Sequence, residues 1–145
     1  MKYFVLSLIV VLLHTNLNAQ SETYSITINA QETVLKANPT ADNISNVLII
    51  NSKKKDGKLI IENNRLNEEY KYERRFFLMN ELDVEIELNF TNINLHKKQL
   101  LLKELYKKTE TNKNYFLYTI AIPSDPNEAA LVRVRRFLLC KVIIK

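Results

Sequence analysis

LDVEIELNF, residues 82–90, alternates Leu82, Val84, Ile86, Leu88 and Phe90 with Asp83, Glu85, Glu87 and Asn89. Successive side chains of an extended strand point to opposite faces, so this pattern predicts a β-strand with one apolar and one acidic face. Three carboxylates on one face admit three roles. They could hold a cation, form a catalytic pair, or present a surface that a basic stretch elsewhere must answer.

Upstream, Phe76–Met79 extends the apolar pattern, whereas NRLNEEYKYERR (64–75) is polar, lacks a sustained period and reads as a connection or short helix. Downstream, TNINLHKKQLLLKELYKKT (91–109) is the helical candidate. Leu95, Leu102 and Tyr106 can share a face with Leu101 and Leu105, Thr91 or Asn94 can cap the start, and the closing lysines suit the helix dipole. YSITINA (24–30) is a half-wet strand, and KANPTADNISN (36–46) is loop. NVLIIN and GKLIIEN flank SKKKDG, and Asp56-Gly57 is a turn signal, so residues 47–62 are expected to form a β-hairpin tipped by Lys53, Lys54 and Lys55. NYFLYTIAIP (114–123) is apolar on both faces and should lie centrally in a sheet. SDPNEAA (124–130) is a turn or a single helical turn. LVRVRRFLLCKVIIK (131–145) is too long for one flat strand and needs a bend or bulge near Arg135-Arg136.

Six or seven short strands and one helix predict a mainly β fold, an immunoglobulin-like antiparallel β-sandwich with one short helix. The alternative is an α+β arrangement, an antiparallel sheet with a helix on one face. The cysteine and tryptophan pins of antibody domains are absent, so only the architecture is implied.

The opening MKYFVLSLIVVLLHTNLNAQ places Lys2 before an apolar run, Phe4–Leu13, and ends near the small residue Ala19, the pattern of a secretory signal peptide over residues 1–19. The run is far shorter than the roughly 20 residues that span a hydrocarbon core, so no stable membrane span is expected. Residues 20–145 then form a single β-rich domain. Without residues 1–19 the chain keeps 20 of its 21 basic side chains against 16 acidic ones, a net charge near +4. That excess is too small to imply nucleic acid. Cys140 is the only cysteine and lies in the apolar run FLLCKVII, so burial as a small hydrophobe is expected, with intermolecular pairing the alternative.

On a strand, Asp83, Glu85 and Glu87 stand about 7 Å apart, too far for one flat strand to wrap a Ca²⁺ ion unaided. A glycosidase pair tolerates such spacing, but that chemistry also needs a pocket and sugar platforms, and the chain has no Trp. Arg133 and Arg135 also repeat at an interval of two, so a cross-strand charge match with Asp83, Glu85 and Glu87 is the leading reading. A partner-binding acidic patch is its alternative. His96 has no spaced Cys or His companions for a metal and reads as a surface residue near a helix start. Motifs that need several glycines, G-x-S-x-G and the phosphate-cradling loops, are excluded because Gly57 stands alone. Neither a catalytic residue, a metal ligand nor a cofactor site is therefore expected. Tyr70, Tyr72, Arg74 and Arg75 mix aromatic and charged groups and form a candidate binding rim, while Phe76 and Phe77 are expected to fold under as core.

The ending NAQ resembles export signals of Bacteroidota. Asn38-Pro39-Thr40-Ala41-Asp42 before Val47–Ile50, and the closing Lys141-Val142-Ile143-Ile144-Lys145, resemble the C-terminal sorting domains of type IX secretion. The glycine-tyrosine turn of those domains is missing here. The expected function is a small exported, non-catalytic binding or structural module of the periplasm or cell surface, with a protein or an envelope polymer as partner. A surface protein sorted by a type IX-like route, and an enzyme or inhibitor with an unrecognised site, are the alternatives.

Overall fold

The computed structural model describes residues 22–29, 32–38, 43–53, 56–64, 72–131 and 133–145. The signal-peptide reading, Tyr70, Lys54, Lys55 and most of the Asn-Pro stretch lie outside the described residues. The chain is mainly β, with two sheets and two short helices. Its elements are β1 (Tyr24–Ile28), β2 (Glu32–Ala37), β3 (Val47–Ile50), β4 (Lys58–Asn63), β5 (Tyr72–Asn80), β6 (Glu85–Ile86), β7 (Thr91–Asn94), β8 (Lys97–Leu101), α1 (Leu102–Lys108), β9 (Asn114–Pro123), α2 (Pro126–Leu131) and β10 (Arg136–Ile144). One five-stranded sheet runs β2-β1-β4-β8-β7 and the other β3-β10-β9-β5-β6. Neighbouring strands are antiparallel except β3 and β10, which pair in parallel from Lys141 opposite Val47 to Ile144 opposite Ile50.

Period-two burial builds one core from both sheets. Tyr24 and Ile26 of β1, Leu59 and Ile61 of β4 and Leu100 of β8 meet Leu48 and Ile50 of β3, Phe76 and Leu78 of β5, Leu117 of β9, and Val142 and Ile144 of β10. The Tyr24 and Phe76 rings cross edge to face at 5.9 Å, tying the sheets together. The central place expected for residues 114–123 is observed, since β9 lies between β10 and β5. Phe76 and Cys140 are buried in the core as expected, whereas Phe77 is covered on the opposite face of β5.

The structure corrects four expectations. First, residues 82–90 are not one strand. The Asn80 side-chain oxygen accepts backbone N–H bonds from Leu82 at 2.9 Å and Val84 at 3.0 Å, closing a turn in which Asp83 takes φ 60°. Leu82 and Val84 are therefore exposed, and only Glu85–Ile86 pairs with β5. The apolar face survives beyond the turn, where Ile86, Leu88 and Phe90 pack on the core.

Second, residues 47–62 are not a hairpin, because β3 and β4 belong to different sheets. Gly57 has no positive φ, and its role is steric. A Cβ there would stand 2.5 Å from Leu102 Cδ1 and 3.0 Å from Asn29 Oδ1. The Gly57 carbonyl also accepts the Leu102 N–H at 2.8 Å, so the two backbones are locked together. At an open site with ordinary φ, Gly→Ala would stabilise slightly through the unfolded chain. Here Leu102 is fully buried and cannot swing away, so overpacking prevails. Gly57→Ala is expected to destabilise by about 1–3 kcal/mol in urea denaturation. An unchanged or raised midpoint would show that Leu102 yields.

Third, residues 91–109 are not one helix. Asn94 Oδ1 accepts the His96 N–H at 2.9 Å and turns the chain, so residues 91–101 form the β7–β8 hairpin. Only Leu102–Lys108 is helical, burying Leu102 and Leu105 and carrying Lys107 and Lys108 in its last turn. A second short helix, α2, falls on the stretch expected to be a turn or a single helical turn. Fourth, the bulge in the last strand falls between Leu138 and Cys140, not at Arg135-Arg136, and it turns Leu139 and Cys140 both into the core.

Candidate functional site

Strand alternation sorts the expected rim into two groups. Tyr72 and Arg74 share the inward phase of Phe76, while Arg75 takes the outward phase of Phe77. Tyr72 and Arg74 line a cavity of about 420 Å³ with Asn63 at the end of β4, Phe76 as its apolar wall, Asn94, Leu95 and His96 of the β7–β8 turn, Lys98 of β8, and Ser124 past β9. Glu73 and Asn92 complete the lining. His96 is thus a half-buried wall residue on a strand turn, not a surface residue at a helix start.

Two ion pairs of different quality flank this cavity. Arg74 Nη2 donates to Glu22 Oε2 at 2.5 Å, with the two side chains only 16% and 15% exposed. Asn63 Nδ2 donates to the other oxygen, Glu22 Oε1, at 2.7 Å. Arg74 Nη1 is buried with no hydrogen-bond partner among the described residues. Beside the pair, burial pushes the Tyr24 phenol far above its ordinary range, the Arg74 charge pulling it back and Glu22 pushing it further up. The second pair is loose. Lys98 Nζ lies 3.7 Å from Glu73 Oε1, the lysine side chain 13% exposed and the glutamate 70%.

The acidic stretch that opened the analysis serves elsewhere. Arg136 holds Asp83 through two bonds of 2.9 Å, one from each terminal nitrogen, a forked geometry that fixes both planes. Arg75 pairs with Glu85. The guanidinium carbons of Arg75 and Arg136 lie 5.5 Å over the Phe77 ring and 5.0 Å over the Tyr118 ring, and those rings stack at 5.8 Å. The carboxylates therefore position cations over an aromatic pair on the outer face of β5 and β9. The match expected with Arg133 and Arg135 is corrected to Arg136 and Arg75. Arg133 and Arg135 precede β10 in exposed chain without strand register, because β10 begins only at Arg136. Glu87 is exposed beyond the short β6 strand.

A second hollow of about 450 Å³ is lined by Thr23, Ser25, Lys36, Asn38, Asn43 and Asn46, among others. Its asparagines staple backbone, Asn43 Nδ2 donating to Asn38 O at 2.6 Å and Leu138 O at 2.9 Å, so their polarity serves the fold. Among the described residues no cluster of His, Cys, Asp and Glu gathers to hold a metal ion, and no helix is long and apolar enough to cross a membrane.

Glu22, Asn63, His96, Lys98 and Ser124 were not singled out as site residues from sequence, because they come together only through the pairing of β4 with β8 and of β5 with β9. Compared with known proteins, the chain matches no family model, no curated protein and no solved structure.

Proposed function

We propose that the protein is an exported, non-catalytic binding module of the periplasm or cell surface, built as an immunoglobulin-like sandwich, with an envelope polymer as partner. Strand order supports the architecture. β1-β4-β8-β7 and β5-β9-β10 reproduce the A-B-E-D and C-F-G orders of such domains, with β2 added beside β1, β6 beside β5 and β3 beside β10. In that frame the end of β4, the start of β5, the β7–β8 turn and Ser124 past β9 meet at one end, the end that carries ligand loops in variable domains.

The observation that carries the binding reading is the cavity at that end, where the half-exposed Tyr72 ring adjoins amide, hydroxyl and cationic donors. An aromatic face beside polar donors is suited to a polar polymer unit, which offers C–H faces for stacking and oxygens for hydrogen bonds. Against catalysis of the two-carboxylate kind, Glu73 is the one carboxylate among the described lining residues and it is mostly exposed, so no pair of carboxylates is assembled.

The test is co-sedimentation with purified envelope polysaccharide and peptidoglycan. Wild-type protein is expected to sediment with at least one of them, and Tyr72→Ala to bind about tenfold more weakly, as loss of one exposed stacking contact implies. Failure to bind any polymer, or equal binding by the variant with its thermal midpoint unchanged, would sink the assignment.

A further inference from the structure

Building on the proposed binding module, we infer that the cavity selects an acidic saccharide, receiving a ring carboxylate between Lys98 and Arg74 while Tyr72 stacks on the sugar ring. Three observations point there. Lys98 is nearly buried, yet its ammonium lies 3.7 Å from its carboxylate partner, beyond hydrogen-bonding reach. Glu73, being largely exposed, is free to move away. Arg74 is held by Glu22 through one terminal nitrogen, and its other nitrogen has no partner among the described residues.

The site thus presents two cations against a single close carboxylate, and burial makes such an excess unfavourable until an anion completes it. A ligand carboxylate supplies acceptors that match one guanidinium edge and one ammonium. The remaining wall includes the amides of Asn92 and Asn94, groups suited to sugar hydroxyls. The volume of about 420 Å³ lies within the range of small-ligand pockets.

The experiment is an amide-shift NMR titration of the mature protein with trigalacturonate, with the corresponding neutral galactose trisaccharide, and with galactose 6-phosphate. Trigalacturonate is expected to bind at least tenfold more tightly than the neutral trisaccharide, with the preference shrinking as salt is raised. Lys98→Gln should abolish that preference, weakening trigalacturonate far more than the neutral trisaccharide. Glu73→Gln should tighten trigalacturonate binding roughly threefold by removing the competing carboxylate. These opposite signs are not produced by a purely structural role, and both variants are compared at equal thermal midpoint.

Equal binding of the acidic and neutral sugars by the wild-type protein overturns the carboxylate assignment while leaving the binding module standing. Tighter binding of the sugar phosphate than of trigalacturonate overturns it as well. No shift with any sugar, together with no polymer co-sedimentation, overturns both readings. The wild-type comparison suffices if either variant fails to fold.

Discussion

Glu22→Gln is expected to lower the unfolding free energy by about 3–5 kcal/mol, the usual consequence of removing one partner from a buried ion pair. Loss of Glu22 leaves the Arg74 guanidinium without its counterion in a site where the side chain is 16% exposed. The glutamine keeps an acceptor for Asn63 Nδ2, so the effect isolates the charge and not the hydrogen bond. Arg74→Met should likewise destabilise by about 3–5 kcal/mol, because it strips the buried Glu22 carboxylate of its cation. The double variant should recover much of the loss, since a neutral pair of similar volume is often as stable as a buried salt bridge. Urea denaturation of the four proteins closes the cycle at constant slope. Additive single losses would mean that the two side chains do not act as a unit.

What could be read from sequence follows a physical boundary. Period-two burial is a local property, and it placed β9, the inward Ile86, Leu88 and Phe90, and the buried Phe76 correctly. It also contains the split between Arg74 and Arg75, because residues two apart on a strand share a face and Arg74 stands two before the buried Phe76. That split required β5 to begin at Tyr72, which the polar run 64–75 concealed. Other features depend on distant partners. Whether β3 joins β4 or β10 is settled by parallel pairing with a strand about ninety residues away, which the Asp56-Gly57 signal cannot encode. Asn80 and Asn94 break the patterns at residues 82 and 91 by capturing nearby backbone N–H groups, and Asn is common enough here that two decisive cases do not stand out. Aromatic groups mixed with charge did mark Tyr72 and Arg74. Lys98 and His96 came from a segment whose leucine spacing suited a helix, and the hairpin that brings them to the cavity was not legible locally.

Raising the pH from 9 to 11 is expected to remove about 2 kcal/mol of stability through Cys140 alone. Burial with no compensating cation lifts this thiol from its ordinary 9.0 to about 12. The folded chain therefore holds the proton more tightly than the unfolded chain does. The contribution is fully present below about pH 9, and it is lost as pH rises through the window toward 12. Each unit within that window weakens folding by about 1.4 kcal/mol. Cys140→Ala should lower stability at neutral pH by leaving a small gap, yet its stability should fall less steeply between pH 9 and 11. The slope is the diagnostic quantity, because a packing defect shifts the whole curve without tilting it. A residual tilt from Tyr24 and Tyr106 is expected, since burial raises both phenols. The same burial predicts that a thiol reagent leaves the native protein unmodified at pH 8 and reacts once urea unfolds it. Identical slopes for the wild-type and Cys140→Ala proteins, or rapid native-state labelling, would show that the bulge at Leu139 opens the core to water.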